Sequence, residues 1–244
     1  MKILGVKVDN YTYAKALERS KELLESGKKH YIVTPNPEII VAAQKDKELQ
    51  DILNRADLSI ADGSGLVKLA NLTERNIPER ITGVDFVQGL AGIAEEFGYS
   101  VFFLGGQEGV AQAAAENLKK TLPKLKIAGA FPGKADEKFD DQTVSRIKSA
   151  KVDIIILAFG HGKQEKWIKR NLPKLNVNLA IGVGGALDYI SGRKKRAPRW
   201  VQKAGMEWFY RLIMEPWRLK RQLALPHFVY LIVKEGFFQK KNPS

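Results

Sequence analysis

The run Ile154-Ile155-Ile156-Leu157-Ala158 decides the fold class, because all five of its side chains are apolar. A strand that faces water on one side alternates apolar and polar residues, whereas a strand covered by helices on both sides does not. The run therefore predicts a buried strand of a parallel sheet that has helices on both faces.

Outward from this run, short β-branched stretches alternate with amphipathic ones over the first 190 residues. The predicted strands are Ile3–Val8, Tyr31–Thr34, Leu58–Ala61, Ser100–Leu104, Lys126–Ala130, Asp153–Ala158 and Asn178–Gly182. The predicted helices are Thr12–Ser26, Ile39–Ala56 with a break near Asp46, Gly65–Leu72, Asp85–Phe97, Gly109–Leu122, Asp141–Ala150 and Lys163–Asn171. Alternating strands and helices predict an α/β fold of Rossmann-like type with a mostly parallel sheet.

The balance of charge changes near Ser191-Gly192. Residues 1–192 hold 27 Lys and Arg against 24 Asp and Glu, a net charge of +3, whereas residues 193–244 hold 13 against three, a net charge of +10. We therefore predict a catalytic α/β domain over 1–192 and a basic helical appendage over 193–244. Pro216 and Pro226 suit first helical turns. They predict three appendage helices, at about 199–214, 216–225 and 227–235.

The appendage also holds nine of the 22 aromatic residues. Basic residues interleaved with aromatic ones suit a membrane interface or a nucleic-acid groove. The charge itself indicates a polyanionic partner, which is a nucleic acid, an anionic membrane or a phosphorylated substrate. An ordinary solvated basic surface is the alternative.

Several kinds of chemistry are disfavoured by what the sequence lacks. There is no cysteine, so neither a disulfide nor a thiolate metal site can form. The three histidines are widely separated and no Asp-x-Asp pair occurs, so we expect no dedicated catalytic metal. Walker A and Gly-x-Ser-x-Gly motifs are absent. No apolar run approaches the roughly 18 to 20 residues that span a bilayer, and the charged N-terminus does not predict a secretory signal.

Polar or glycine-rich segments follow five of the predicted strands. They are Thr34-Pro35-Asn36-Pro37-Glu38, Asp62-Gly63-Ser64-Gly65, Gly105-Gly106-Gln107-Glu108-Gly109, the segment 159–165 and the segment 183–188. Ligands of parallel sheets bind beyond the carboxyl ends of the strands. We therefore expect these segments to converge on one rim and to form the site.

Each candidate at this rim has a functional and a structural interpretation. Asp62 is a candidate general base, or a helix cap. Thr34 and Asn36 are candidates to orient a sugar through hydrogen bonds, or simply turn residues. The pairs Gly105-Gly106 and Gly184-Gly185 are candidates to bring backbone amides to a diphosphate, although glycine turns between strands and helices are common. Arg80 is a candidate to bind phosphate, or a surface residue.

In this order, the segments resemble the WecG/TagA/CpsF glycosyltransferase family, and the resemblance extends over nearly the whole chain. The stretches that carry it are Thr34–Glu38, Ala61–Gly65, Pro78–Asp85, Lys163–Trp167, Gly182–Gly185, Lys195–Pro198, Gly205–Trp208 and Glu215–Arg218. The combination is specific, although each single piece is not.

The resemblance implies an inverting, metal-independent transfer without a cofactor. The donor would be UDP-N-acetylmannosamine or a related UDP-sugar, and the acceptor the 4-hydroxyl of N-acetylglucosamine on undecaprenyl diphosphate. Such a reaction belongs to wall teichoic acid or surface polysaccharide synthesis. Asp62 would be the base, and the other implied site residues are Thr34, Asn36, Arg80 and Gln164 from the α/β domain and Arg211, Arg218 and Arg221 from the appendage.

The same resemblance places the chain at the inner, cytoplasmic face of the membrane as a peripheral protein. The appendage would close over the site and dock on the anionic membrane surface, and we expect Phe228, Leu231, Ile232, Phe237 and Phe238 to insert shallowly. No nucleic-acid partner is expected, and self-association is left open.

Two other functions are alternatives to this one. A nucleotide-cofactor oxidoreductase would use a similar sheet, but the chain lacks a proper Gly-x-Gly-x-x-Gly turn. A nucleic-acid-binding protein would use the basic appendage, with salt-sensitive binding stronger than that to anionic vesicles.

Overall fold

The computed structural model describes the backbone of residues 1–73 and 75–241; the side chains of residues 203, 218, 220 and 236–241 lie outside the description. Its main feature is a parallel sheet of six strands, preceded by a small hairpin. The hairpin consists of β1 Lys2–Ile3 and β2 Val6–Lys7, and the sheet of β3 His30–Val33, β4 Leu58–Ser59, β5 Ser100–Gly105, β6 Lys126–Phe131, β7 Ile154–Ala158 and β8 Leu179–Gly182. The strand order is β4-β3-β8-β7-β5-β6. The predicted α/β fold with a mostly parallel sheet is confirmed.

The apolar run that predicted the sheet lies in β7, between β5 and β8. Its alternate side chains enter two different cores: Ile154 and Ile156 pack in one, and Ile155 and Leu157 in the other. All four are fully buried. Helices therefore cover both faces of this strand, and the absence of polar alternation follows from that burial.

Nine helices of the described residues 1–192 surround the sheet. They are α1 Tyr13–Glu25, α2 Pro37–Ala43, α3 Lys47–Asn54, α4 Ser64–Leu72, α5 Gly83–Phe97, α6 Val110–Thr121, α7 Asp140–Lys148, α8 Lys163–Asn171 and α9 Ala186–Ile190. Short 3₁₀ turns span Glu137–Phe139 and Leu172–Lys174. The predicted break near Asp46 is confirmed, because the Asp46 carboxylate accepts a hydrogen bond from the Leu49 amide at 3.0 Å and so begins α3.

The predicted single strand Ile3–Val8 is wrong. The chain turns back at Leu4 and Gly5, which have φ values of 48° and 76°, so β1 and β2 pair antiparallel. Two successive positive φ values are the geometry of a tight two-residue hairpin, and glycine makes it accessible. The hairpin still buries Ile3 and Val6, in the core beneath α2 and α3.

The appendage has more helices than predicted. They are α10 Arg199–Lys203, α11 Glu207–Met214, α12 Leu219–Gln222 after a 3₁₀ turn at Pro216–Arg218, and α13 Ala224–Lys241. Gly205, at φ +71°, interrupts the helix predicted over 199–214. Pro226 lies in the first turn of α13, as its missing amide hydrogen favours.

One face of α13 is part of the protein core. Phe228 and Ile232 are 0% and 2% exposed and share a core with Ile39, Ile40 and Leu66, while Leu231 packs against it. The expected insertion of Phe228, Leu231 and Ile232 into a membrane is therefore wrong, because these side chains pack on α2 and α4 instead. The side chains of Phe237 and Phe238 lie outside the described residues.

Ion pairs also join the appendage to the α/β domain. The pairs, with their nitrogen–oxygen distances, are Arg196 with Asp85 at 2.7 Å, Glu235 with Arg75 at 2.6 Å and Arg221 with Glu38 at 2.7 Å. The appendage consequently lies against the carboxyl ends of the strands.

None of the helices in the described residues combines the length and the apolar character that crossing a bilayer requires.

Candidate active site

Two cavities open at the carboxyl ends of the strands, and they share part of their walls. The small cavity, of about 130 Å³, lies between the start of α4 and the appendage and is lined by residues including Ser64, Arg80, Glu207, Trp208 and Leu225. The large cavity, of about 710 Å³, lies over the glycine turns and is lined by residues including Gly106, Gly184, Gly185, Asp188 and Arg193. Five residues line both: Asn36, Asp62, His161, Arg211 and Arg221.

Asp62 lies just beyond β4, and its amide donates to the Pro35 carbonyl at 2.9 Å. The helix-cap interpretation is wrong, because Gly63 occupies the cap position of α4 and no side chain caps that helix. Within the described residues, the Asp62 carboxylate accepts no hydrogen bond. The Asp62 carboxylate thus lies where the two cavities meet, and no hydrogen bond to a described residue gives it a structural role.

The surroundings of Asp62 make it a stronger base than an ordinary aspartate. Burial raises the pKa of the Asp62 carboxyl, and the nearby Arg80 and Arg211 oppose that rise without cancelling it. A raised pKa increases proton affinity while leaving the carboxylate ionised when the pH lies above it. This combination suits a group that must accept a proton from a substrate.

Arg80 and Arg211 are held by one buried carboxylate, that of Glu207. The Glu207 side chain is 3% exposed, accepts a hydrogen bond from Arg80 and accepts another from Arg211 at 2.8 Å. Burial alone would raise the pKa of Glu207, but Arg211 and Arg80 keep it below its usual value. Glu207 therefore fixes two cations beside Asp62, a role that the sequence analysis missed.

Asn36 and Arg221 are connected at the rim by two residues that lie between them, His161 and Glu38. The Asn36 side chain caps α2, accepting from the Ile39 amide at 3.1 Å, and its nitrogen lies 2.9 Å from His161 Nε2. The Arg221 guanidinium binds both Glu38 oxygens, at 2.7 and 3.0 Å. Although burial opposes it, the contacts with His161 and Arg221 lower the pKa of Glu38 to about 2.

Thr34 and Gln164 lie beneath the cavities and line neither of them. The Thr34 hydroxyl donates to the Gly182 carbonyl at 2.9 Å. The Gln164 amide accepts from the Gly184 amide and donates to Glu165, both at 2.9 Å. Both side chains hold the turn after β8 in place, and their direct contact with a substrate stays a prediction.

The two glycine pairs have different surroundings. Gly106, Gly184 and Gly185 line the large cavity, whereas Gly105 does not. A Cβ on Gly105 would lie 2.7 Å from the backbone carbon of Ala158, so glycine is needed there for the packing of neighbouring strands. Three of the four predicted glycines are therefore placed where a ligand can approach the backbone.

The remaining predicted arginine is Arg218. It ends the 3₁₀ turn Pro216–Arg218, and its side chain lies outside the described residues.

No group of three or more His, Cys, Asp or Glu side chains suited to holding a metal ion occurs in the part of the chain that the structure describes.

Comparison with known proteins gives one family and consistent relatives. Residues 1–242 match the model of the glycosyl transferase WecG/TagA/CpsF family. A relative from Staphylococcus aureus (strain MW2) is 35% identical over 234 residues, covering 95% of this chain and 91% of the relative. A relative from Bacillus subtilis (strain 168) is 34% identical over 215 residues, covering 85% and 83%. Both are named N-acetylglucosaminyldiphosphoundecaprenol N-acetyl-beta-D-mannosaminyltransferase.

Proposed function

Because the chain belongs to the WecG/TagA/CpsF glycosyltransferase family, we propose that it transfers N-acetylmannosamine, or a closely related sugar, from a UDP donor to a lipid-linked acceptor. The names of the two relatives support N-acetylglucosamine on undecaprenyl diphosphate as the acceptor, and we assign the attack to its 4-hydroxyl. The product is a precursor of wall teichoic acid. The oxidoreductase alternative is not supported, since the family consists of transferases.

The position of Asp62 at the junction of the two cavities carries this proposal. The donor occupies the large cavity and the acceptor sugar the small one, so the 4-hydroxyl reaches the anomeric carbon beside Asp62. The acceptor oxygen forms a bond to the anomeric carbon. At the same time the bond between that carbon and the diphosphate oxygen breaks, and its electron pair leaves with UDP. Asp62 accepts the hydroxyl proton, and attack opposite the leaving group inverts the configuration.

The departing UDP needs its charge neutralised more than it needs a proton. The Gly106, Gly184 and Gly185 turns bring backbone amides to the large cavity, and the cations of Arg211 and Arg221 line it. Such donors stabilise developing charge most effectively when they are held in place before the reaction. Arg218 is the third arginine that we assign to this task.

A screen of donors against one acceptor tests the reaction. The purified chain is incubated with UDP-N-acetylmannosamine, UDP-N-acetylglucosamine, UDP-glucose or NAD and with a short-chain diphosphate-linked N-acetylglucosamine. We expect transfer from UDP-N-acetylmannosamine, with inversion visible in the anomeric proton coupling of the product. Binding of NAD, with no transfer from any UDP-sugar, would contradict the proposal.

Chelation tests the absence of a metal from the mechanism. We expect turnover to survive exhaustive treatment with EDTA, because arginines and backbone amides supply the positive charge. Loss of activity that Mg²⁺ or Mn²⁺ restores would show that the mechanism needs a metal.

The appendage provides a surface for docking on the inner face of the membrane. Of the 15 large apolar side chains that are exposed in the described residues, 12 lie between Trp200 and Val233. Among these 12, Leu219, Leu223 and Tyr230 are 58%, 61% and 60% exposed. With the appendage's net charge of +10, this surface suits an anionic bilayer, where each basic residue contributes about 1 kcal/mol.

Co-sedimentation with vesicles tests the docking surface. We expect the triple variant Leu219→Gln, Leu223→Gln, Tyr230→Gln to lose most binding to phosphatidylglycerol vesicles while keeping turnover of a soluble acceptor. The control is Phe97→Gln. Phe97 is 42% exposed and ends α5 just before β5 begins, so it lies near the amino ends of the strands, away from the appendage. Equal binding by the triple variant and the control would place the membrane contact elsewhere, and stronger binding to DNA than to vesicles would favour a nucleic-acid partner.

A further inference from the structure

His161 forms part of the wall shared by both cavities, and its hydrogen bond to Asn36 identifies which ring nitrogen accepts. The Asn36 oxygen is identified by its bond from the Ile39 amide, so the Asn36 nitrogen faces His161 Nε2 at 2.9 Å. An amide nitrogen only donates hydrogen bonds. Nε2 must therefore accept, and the proton of the neutral imidazole lies on Nδ1.

On its other side, the ring faces the ion pair that docks the appendage. Nδ1 is buried, makes no hydrogen bond to any described residue and lies 3.7 Å from the Glu38 carboxylate. This distance is too long for a hydrogen bond but allows a favourable electrostatic contact between the carboxylate and an Nδ1–H. Glu38 in turn binds Arg221 of α12 through two hydrogen bonds. Arg221, Glu38, His161 and Asn36 thus form a continuous path from the appendage to the rim.

The backbone around His161 is held independently of this path. Gly160 and Gly162 flank it at φ +87° and +80°, and the Gly162 amide donates to Glu165 at 2.6 Å. The charged groups near the ring are Glu38, Asp62, Glu165 and, through Glu38, Arg221. The imidazole is therefore oriented by its two polar neighbours on a loop that is already fixed.

We propose that His161 is a positioning residue for the transfer reaction. Its ring, with Nε2 accepting and the proton on Nδ1, links the ion pair between Glu38 of α2 and Arg221 of the appendage to the Asn36 amide beside Asp62. The Asn36 amide at the junction of the cavities is thereby held on both sides, its oxygen by the Ile39 amide and its nitrogen by a ring that contacts the docked appendage. The effect on catalysis rests on the proposed function, whereas the protonation state of the ring does not.

Nuclear magnetic resonance tests the protonation without any enzyme assay. The chain has only three histidines, so long-range ¹H–¹⁵N correlations of the imidazole rings are readily assigned with His30→Gln, His161→Gln and His227→Gln. We expect the Nδ1–H tautomer for His161 at pH 7.5. The variant Asn36→Asp replaces the donor by an acceptor that still caps α2, so a proton should appear on Nε2. An Nε2–H tautomer in the wild-type protein would overturn the inference.

Kinetics of two variants test the positioning role. Glutamine at 161 places an amide oxygen near Nε2, whereas asparagine reaches only the position of Nδ1. His161→Asn loses the hydrogen bond to Asn36, so we expect its kcat to fall about tenfold with little change in KM for the donor. His161→Gln can still accept that bond, so we expect it to recover most of the loss.

The two proposals fail in different ways. Equal losses in the two His161 variants, at unchanged melting temperatures, would overturn the positioning role while leaving the transferase assignment intact. Absence of transfer by the wild-type protein would overturn the transferase assignment and the kinetic role, while the tautomer measurement would still stand.

Discussion

The two cavities are built in different ways. The large cavity lies over the glycine turns after β5, β7 and β8, and residues of the appendage such as Arg193, Lys194 and Trp217 also line it. The small cavity is formed largely by side chains, and Glu207, Trp208 and Leu225 of the appendage close it. Changes at Trp208 or Leu225, which line only the small cavity, should therefore affect the proposed acceptor side more than the proposed donor side, whereas Asp62, which lines both cavities, should affect the chemical step itself.

Asp62→Asn should have the largest effect, because it removes the proposed base, which lines both cavities. We expect kcat to fall by about 100-fold or more, the usual scale for loss of a general base, with binding of UDP largely retained. Steady-state kinetics and calorimetric titration of UDP measure the two quantities. Turnover close to that of the wild-type protein would remove Asp62 from the mechanism.

The same variant should not lower stability. Burial raises the pKa of the Asp62 carboxyl, so above that pKa the ionised carboxylate costs the folded state free energy. Asparagine carries no charge, and we expect the free energy of unfolding at pH 7 to be equal or higher. By the same reasoning, wild-type kcat should fall as the pH decreases through a value above that of an ordinary aspartate.

Glu207→Gln should have the next largest effect, because Glu207 holds both Arg80 and Arg211 beside Asp62. Loss of the charge frees Arg80 and Arg211, so we expect kcat/KM for the acceptor to fall about tenfold. The matched control is Glu235→Gln, which breaks the 2.6 Å ion pair with Arg75 and lines neither cavity. If both variants change the acceptor kinetics equally, docking of the appendage rather than placement of the arginines is responsible.

Gly185→Ala should weaken donor binding alone. Gly185 has no positive φ, and an added Cβ would meet only an Asp188 oxygen at 3.7 Å, so the fold accommodates alanine. A methyl group in the large cavity should nevertheless keep the diphosphate from the backbone, raising the Kd for UDP roughly fivefold. Gly92→Ala, in open space on α5, is the control. An unchanged Kd for UDP in Gly185→Ala would place the diphosphate elsewhere.

Glu38→Gln should have the smallest effect, and it should depend on pH. The pKa of Glu38 lies near 2 rather than 4.5, so its charge stabilises the fold above pH 4.5 and that contribution is lost as the pH falls towards 2. Because Glu38 and Arg221 are 35% and 45% exposed, we expect only about 1 kcal/mol. Urea unfolding of both proteins between pH 5 and pH 2.5 should show their difference shrinking; a constant difference would mean that the pair does not stabilise the appendage.

Local signals in the sequence were sufficient for the architecture. The unbroken apolar run of β7 predicted a strand covered on both faces, and the helix α8 has the bounds that were predicted. The position of the site at the rim could also be predicted from the sequence, because the carboxyl ends of parallel strands meet at one edge of the sheet whatever the strand order. Asp62 was identified on that basis as a candidate base or helix cap, and the family resemblance favoured the base.

What only the tertiary structure decided concerns contacts between segments far apart in the chain. The sequence of α13 does not reveal that Phe228 and Ile232 face a core built by residues 3–77, so they looked like membrane anchors. Glu207 lies 127 residues from Arg80, and only folding brings them together. The sequence did contain one signal. Glu207 is one of only three acidic residues beside 13 basic ones in the appendage, and an isolated acidic residue in a basic segment is a candidate counter-ion. Periodicity and spacing report local conformation, whereas the partner of a buried charge depends on packing that no local pattern encodes.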